Sequence, residues 1–266
     1  VIVVMLILEA ARPGGQRFFK VLVGGVVASS VSFGIYFAIA GAVFVDAYKV
    51  PPYEFEIWQL LAGIPFGLFA ALLITLLGAF MMLASRLFGR LKLPGIAKST
   101  LGGLVFGIVG VALPLTMFSG SDQLKTVLKG AGTLGVGLLV AVLIAKMLTF
   151  AVSQGSGFVG GPIFPSLFIG GTAGVLVHQV FPSVPLGLAF SCMLAAVPGS
   201  IAPASLSMVL LAAFLTQVGA LQTGPILIAV ITAFLTAESV KYLFNVRKQS
   251  RATAAKQEPN SPGTEG

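Results

Sequence analysis

Long apolar runs, interrupted by glycine, proline and short charged patches, fill almost all of the first 245 residues. Residues 1–8 are apolar but too short to cross a bilayer, and they lack the basic start of a signal peptide, so they read as the end of a helix that begins upstream. Residues 18–45 can span the membrane. Residues 57–88 exceed the roughly 20 that a perpendicular helix needs, which predicts a strongly tilted span. Residues 101–118 follow, with Gly102, Gly103, Gly107 and Gly110 spaced for close helix contact. Residues 119–129 read as a polar linker. Further apolar segments occupy 133–152, 164–180, 186–197, 201–218 and 226–243. Several are short and are separated by Pro198-Gly199 or Gly224-Pro225. Short, broken and tilted helices mark transporter folds with internal repeats. The pattern therefore predicts a membrane domain over 1–246. The polar residues 247–266 are expected to be a disordered cytoplasmic tail.

Composition sharpens the class. The chain is 57% hydrophobic and 9% charged, with a mean hydropathy of +1.03. A soluble domain of this size could not hide that much apolar surface, so the expected fold is an all-α integral membrane bundle. Much of the charge behind the net +8 lies in three places. One holds Arg12, Arg17 and Lys20, the next Arg86, Arg90, Lys92 and Lys98, and the last Lys241, Arg247, Lys248, Arg251 and Lys256. Short loops rich in Lys and Arg stay in the cytoplasm, so this charge reports topology, with a cytoplasmic C-terminus and a plasma (inner) membrane location. Residues 46–58 carry Asp46, Glu54 and Glu56 with Tyr48, Tyr53 and Trp58, the make-up of an outer interfacial belt. No basic soluble module offers itself to nucleic acid. Cys192 has no disulfide partner and reads as a packed small side chain. His178 stands apart from other ligating residues, so no metal is expected. No nucleophile is paired with a base, and neither an enzyme activity nor a cofactor is expected.

The richest stretch is residues 155–166, Gly-Ser-Gly-Phe-Val-Gly-Gly-Pro-Ile-Phe-Pro-Ser, between two apolar runs. Inside hydrocarbon, irregular backbone persists only where it is buried in protein or lines a polar cavity. Glycine lets backbone approach a ligand closely, and Pro162 and Pro165 suit the first turn of a helix. Such a turn presents free N–H donors and a positive dipole end to an anion. A kinked hairpin between two spans is the plainer alternative. Lys146 lies mid-span, where a cation faces a cavity or partner, or else snorkels to the interface. Glu9 and Glu238 sit near segment ends, where both can be hydrated. Phe158, Phe164 and Phe168 read as packing residues.

The motif Gly160-Gly161-Pro162-Ile163-Phe164-Pro165 resembles the anion signature of the CLC chloride channels and proton/chloride antiporters. Four other stretches resemble that family in the same order: residues 8–13 (Leu-Glu-Ala-Ala-Arg-Pro), 24–30, 144–149 around Lys146, and 196–204. The resemblance covers 1 to about 245 and implies a CLC-like inverted-repeat fold, truncated in its N-terminal half. It implies a chloride ion near mid-membrane, held by residues 160–165, with Tyr242 as a candidate ion contact. Lys146 would add positive potential to the pathway. It also implies a homodimer in membrane lipid, and residues 57–88 and 186–215 are apolar enough to form its interface.

Departures from the family pattern carry weight too. Pro162 has no N–H to donate, so at most Ile163 and Phe164 can present amides. The antiporters' internal proton-transfer glutamate aligns with Ala10, beside Glu9, which remains as a possible proton-path neighbour. Alanine cannot relay a proton. The resulting expectation is chloride transport that is channel-like or weakly coupled. The alternatives are a non-transporting scaffold or dimerisation fragment of such a protein, or a different secondary transporter.

Overall fold

A computed structural model describes residues 2–11, 16–41, 47–201 and 205–257. Its described residues form ten α-helices and no strands. These are α1 (Ile2–Ala11), α2 (Gln16–Ala40), α3 (Trp58–Arg90), α4 (Gly95–Ala112), α5 (Ser121–Lys129), α6 (Val136–Gly155), α7 (Ile163–Val180), α8 (Leu186–Ile201), α9 (Ser205–Thr216) and α10 (Thr223–Gln257). Six are long and apolar enough to cross a membrane: α2, α3, α4, α6, α7 and α10, the last over Thr223–Phe244. Arg12, Pro13, Asp46, residues 202–204 and residues 258–266 lie outside the described residues.

The helices approach one another through glycine. Gly63 and Gly67 of α3 form a Gly-x-x-x-Gly pair against α10. A Cβ at Gly63 would lie 2.7 Å from the Pro225 carbonyl oxygen, and one at Gly67 would lie 2.6 Å from that of Ala229. Small residues thus let two backbones meet where, in apolar lipid, no hydrophobic force drives them together. Gly170 and Gly174 do the same for α7 against α8, where a Cβ would collide with backbone at Met193 and Phe190. The centre of the bundle is α8, buried from Gly187 to Ser200 and packed against α7, α10, α3 and α9.

Four expectations change. Residues 121–129 are a helix because Leu124, Val127 and Leu128 share one buried stripe, with Asp122 in the first turn and Lys129 in the last to complement the dipole. The polar segment after residue 247 continues α10 as far as Gln257, in keeping with its Ala, Lys, Arg and Gln, all strong helix formers. Tyr48 and Tyr53 turn inward instead of joining a belt. The Tyr48 ring packs on Phe190 at 5.8 Å and its hydroxyl donates to the Ser121 carbonyl (3.3 Å), while Tyr53 lies against Gly187. Trp58 remains exposed and donates to Glu56 (2.5 Å). Finally, α8 is spent inside the chain, so within residues 186–215 the outward apolar face belongs to α9, through Leu206, Leu210 and Phe214 at four-residue spacing.

Candidate functional site

The glycine-rich break becomes a tight passage from α6 into α7. At the end of α6 the Ser156 amide bonds to Val152 (2.9 Å) and the Phe158 amide reaches back to Ser153 (3.1 Å). Gly157 turns the chain at φ +100°, a conformation that side chains rarely adopt. The turn is tied to its neighbours. Ser99 of α4 donates to the Ser156 carbonyl (3.1 Å), and Gln154 Nε2 donates to the Gly160 carbonyl (3.1 Å).

Beyond the turn the chain is open. A Cβ at Gly160 or Gly161 would meet nothing within 4 Å among the described residues, so crowding by them does not demand glycine there. Pro162 is the N-cap residue with φ −78° and ψ −12°, and α7 begins at Ile163 with no side-chain cap. The first amide to bond backward is that of Ser166, to Pro162 (3.1 Å). Pro165 has no amide to offer. Among the described residues, the amides of Ile163 and Phe164 donate no hydrogen bond. Phe164 is exposed, whereas everything from Ser166 to Leu176 is buried. A buried helix therefore presents one bare, dipole-positive tip beside open backbone.

Lys146 does not point at this tip. It is 2% exposed, and its ammonium donates to the carbonyls of Phe118 (2.6 Å), Thr116 (3.0 Å) and Met117 (3.5 Å). It also lies 5.1 Å over the ring of Phe168, one turn beyond the tip. These carbonyls belong to the α4–α5 connection, where Phe118 has φ +51° and Gly120 φ +90°. A cation that neither snorkels nor pairs with a carboxylate is satisfied here by three backbone dipoles and an aromatic face.

Glu9 is engaged as well. Its carboxylate accepts the amides of Leu206 (3.1 Å) and Ser207 (2.9 Å), so it caps the start of α9 from another helix. Tyr242 is 69% exposed on α10, whose main neighbours are α3, α8 and α9, and among the described residues no hydrogen bond involves its hydroxyl. Residues 160–165 thus share one turn, with Lys146 behind it, while Glu9 and Tyr242 belong to other parts of the bundle. The roles of Ser99 and Gln154 in fixing the turn had no sequence signal, because both bond to carbonyls that any residue carries. Among the described residues, no group of three or more His, Cys, Asp or Glu side chains could hold a metal ion.

A family model described as voltage gated chloride channel matches residues 5–238. Proteins named ion-transport protein YfeO in Salmonella newport and Salmonella typhimurium are 36% identical over 104 residues, or 39% of this chain and 25% of theirs. The structure of a slow cyanobacterial Cl-/H+ antiporter superposes with a TM-score of 0.70 at 22% identity, covering 96% of this chain and 61% of the other. The chain thus covers a quarter of the length of the YfeO proteins and 61% of the antiporter, in each case less than two thirds.

Proposed function

This chain belongs to the voltage gated chloride channel family, and from that premise we propose that it moves chloride or a similar small anion across the membrane. The observation that carries the reading is the pair of unpartnered amides, Ile163 and Phe164, at the tip of a buried helix. A partly dehydrated anion would exchange water for these donors and for the positive end of α7. Such a site holds no fixed charge, so the ion can leave as readily as it enters. Gly160 and Gly161 leave room for that approach, since no atom of the described residues fills the space beside them.

Transport is channel-like or weakly coupled in this reading, because Ala10 stands where the resemblance places a proton-transferring glutamate. The neighbouring Glu9 supports the same view, since both of its oxygens are engaged by the start of α9. The C-terminus faces the cytoplasm of a plasma (inner) membrane protein, following the basic residues near it. The exposed apolar faces of α3 and α9 fit a homodimer in lipid. Chloride efflux from liposomes containing the full-length protein tests the function. Wild type is expected to release chloride, and Ile163→Pro, which removes one donor at the first helical position, is expected to slow release or weaken chloride affinity. Equal fluxes from both would contradict the site, and no flux from wild type would contradict the function.

A further inference from the structure

We propose that Lys98 is the cation that draws anions to the tip of α7, the part that sequence reasoning had given to Lys146. The inference rests on the transport reading above and concerns how that same site is supplied. Lys146 turns its ammonium into the carbonyls of the α4–α5 connection, behind the turn, so the open side of the tip calls for a cation placed elsewhere. Lys98 lies in the first turns of α4, and those turns wall the approach to α7. Ser99 donates to the Ser156 carbonyl. Gly102, one turn past Lys98 on the same helix face, lies so close to Ser156 that a Cβ there would overlap its side chain. The Phe158 ring lies 3.8 Å and 3.9 Å from the positions a Cβ would take at Gly102 and Gly103. Lys98 therefore lies one helical turn from the contact between α4 and the segment that leads into Gly160 and Gly161.

Its surroundings leave the charge unneutralised. Asp122 is the only acidic residue between Glu56 and Glu238, and Lys125 already pairs with it at 3.2 Å. Among the described residues, Lys98 has neither a carboxylate partner nor a hydrogen bond from its ammonium. It is half-buried, so salt screens its field less than that of a fully exposed lysine. Nor does helix stability ask for a cation there, because the positive end of the α4 dipole disfavours one. Arg86, Arg90 and Lys92 extend the same potential from the end of α3, where Ala84 packs against Gly155. A cleft lined by one sign of charge concentrates its counter-ion and speeds entry.

The test is the chloride dependence of flux through the full-length protein in liposomes. Lys98→Gln is expected to raise the half-saturating chloride concentration about tenfold, the low end of the roughly 10- to 1000-fold range of electrostatic steering, while maximal flux is kept. Lys98→Arg is expected to behave as wild type, and an impermeant salt to erase the difference between wild type and Lys98→Gln. An unchanged half-saturating concentration in Lys98→Gln, or equal damage by Arg and Gln, would overturn the proposal. Should Lys98→Gln fold poorly, Lys98→Cys can be modified after reconstitution, with Cys192 buried and out of reach. A cationic reagent is then expected to restore low-chloride flux and an anionic one to depress it further. Identical results with both would overturn the role of charge. A wild type that passes no chloride would bring down both this inference and the transport reading, whereas a transporting wild type with an indifferent Lys98→Gln would bring down the inference alone.

Discussion

The ammonium of Lys146 lies 2.6 Å from the carbonyl oxygen of Phe118, a residue 28 positions earlier whose backbone is held at φ +51°. The lysine thereby fastens the α4–α5 connection to α6, and through Phe168 to α7. Lys146→Met keeps all but the last atom of the side chain's length and removes the donors. Leaving the buried Thr116 carbonyl unpartnered costs about 1–3 kcal/mol and the partly buried carbonyls of Met117 and Phe118 less, partly offset because no charge then needs burying. The expected result is a lower unfolding midpoint in detergent and faster proteolysis near residues 113–120. An unchanged midpoint would show that the clamp contributes nothing.

Glu9 and the first amides of α9 form the second long-range tie, across 197 positions in sequence. Loss of an N-cap costs about 1 kcal/mol, so Glu9→Ala is expected to speed hydrogen exchange at Leu206 and Ser207 by several-fold. Exchange elsewhere in α9 should change less. Equal protection in both proteins would mean that water replaces the carboxylate without loss.

Gly67 and Gly107 make a matched pair of tests. Gly67 is pressed against α10, whereas a Cβ at Gly107 meets nothing within 4 Å. Gly67→Leu is expected to cost about 1–3 kcal/mol or to prevent folding, as overpacking does. Gly107→Leu is expected to be tolerated, by thermal unfolding in detergent.

Tyr48 gives a pH-dependent test. Burial, chiefly, pushes its phenol up to about 12, and the nearby Asp122 carboxylate adds to the shift. A raised folded value favours the neutral phenol, so this contribution to stability is intact below pH 10 and is lost as pH rises from 10 towards 12. Ultraviolet titration should show a late-ionising tyrosine that disappears in Tyr48→Phe, and the variant should lose less stability across that window. Identical titration curves would contradict the buried position.

Much of this architecture was legible in the chain. Apolar length gave the spans, and the glycine-rich break at 155–166 gave the passage from α6 to α7, because long hydrophobic runs and helix-breaking residues are local signals. The stripe of Leu124, Val127 and Leu128 was equally local, yet the polar residues around it hid a helix of only nine residues. Other features are matters of tertiary pairing. A lysine at mid-span needs partners, but nothing near residue 146 says that they are the carbonyls of residues 116–118. Glu9 looks like an end-of-helix carboxylate until α9 folds beside it. Tyr48 and Tyr53 have the composition of an interfacial belt, and the loop that carries them folds onto α8 instead.

The central claim concerns one turn of backbone, and anomalous diffraction from crystals of the full-length protein grown with bromide reads it most directly. The account predicts a bromide peak within about 3.5 Å of the amide nitrogens of Ile163 and Phe164, a typical reach for a backbone donor to a halide. It also predicts that this peak weakens in Ile163→Pro. Bromide bound elsewhere, with that turn left empty in a protein that still passes chloride, would contradict it.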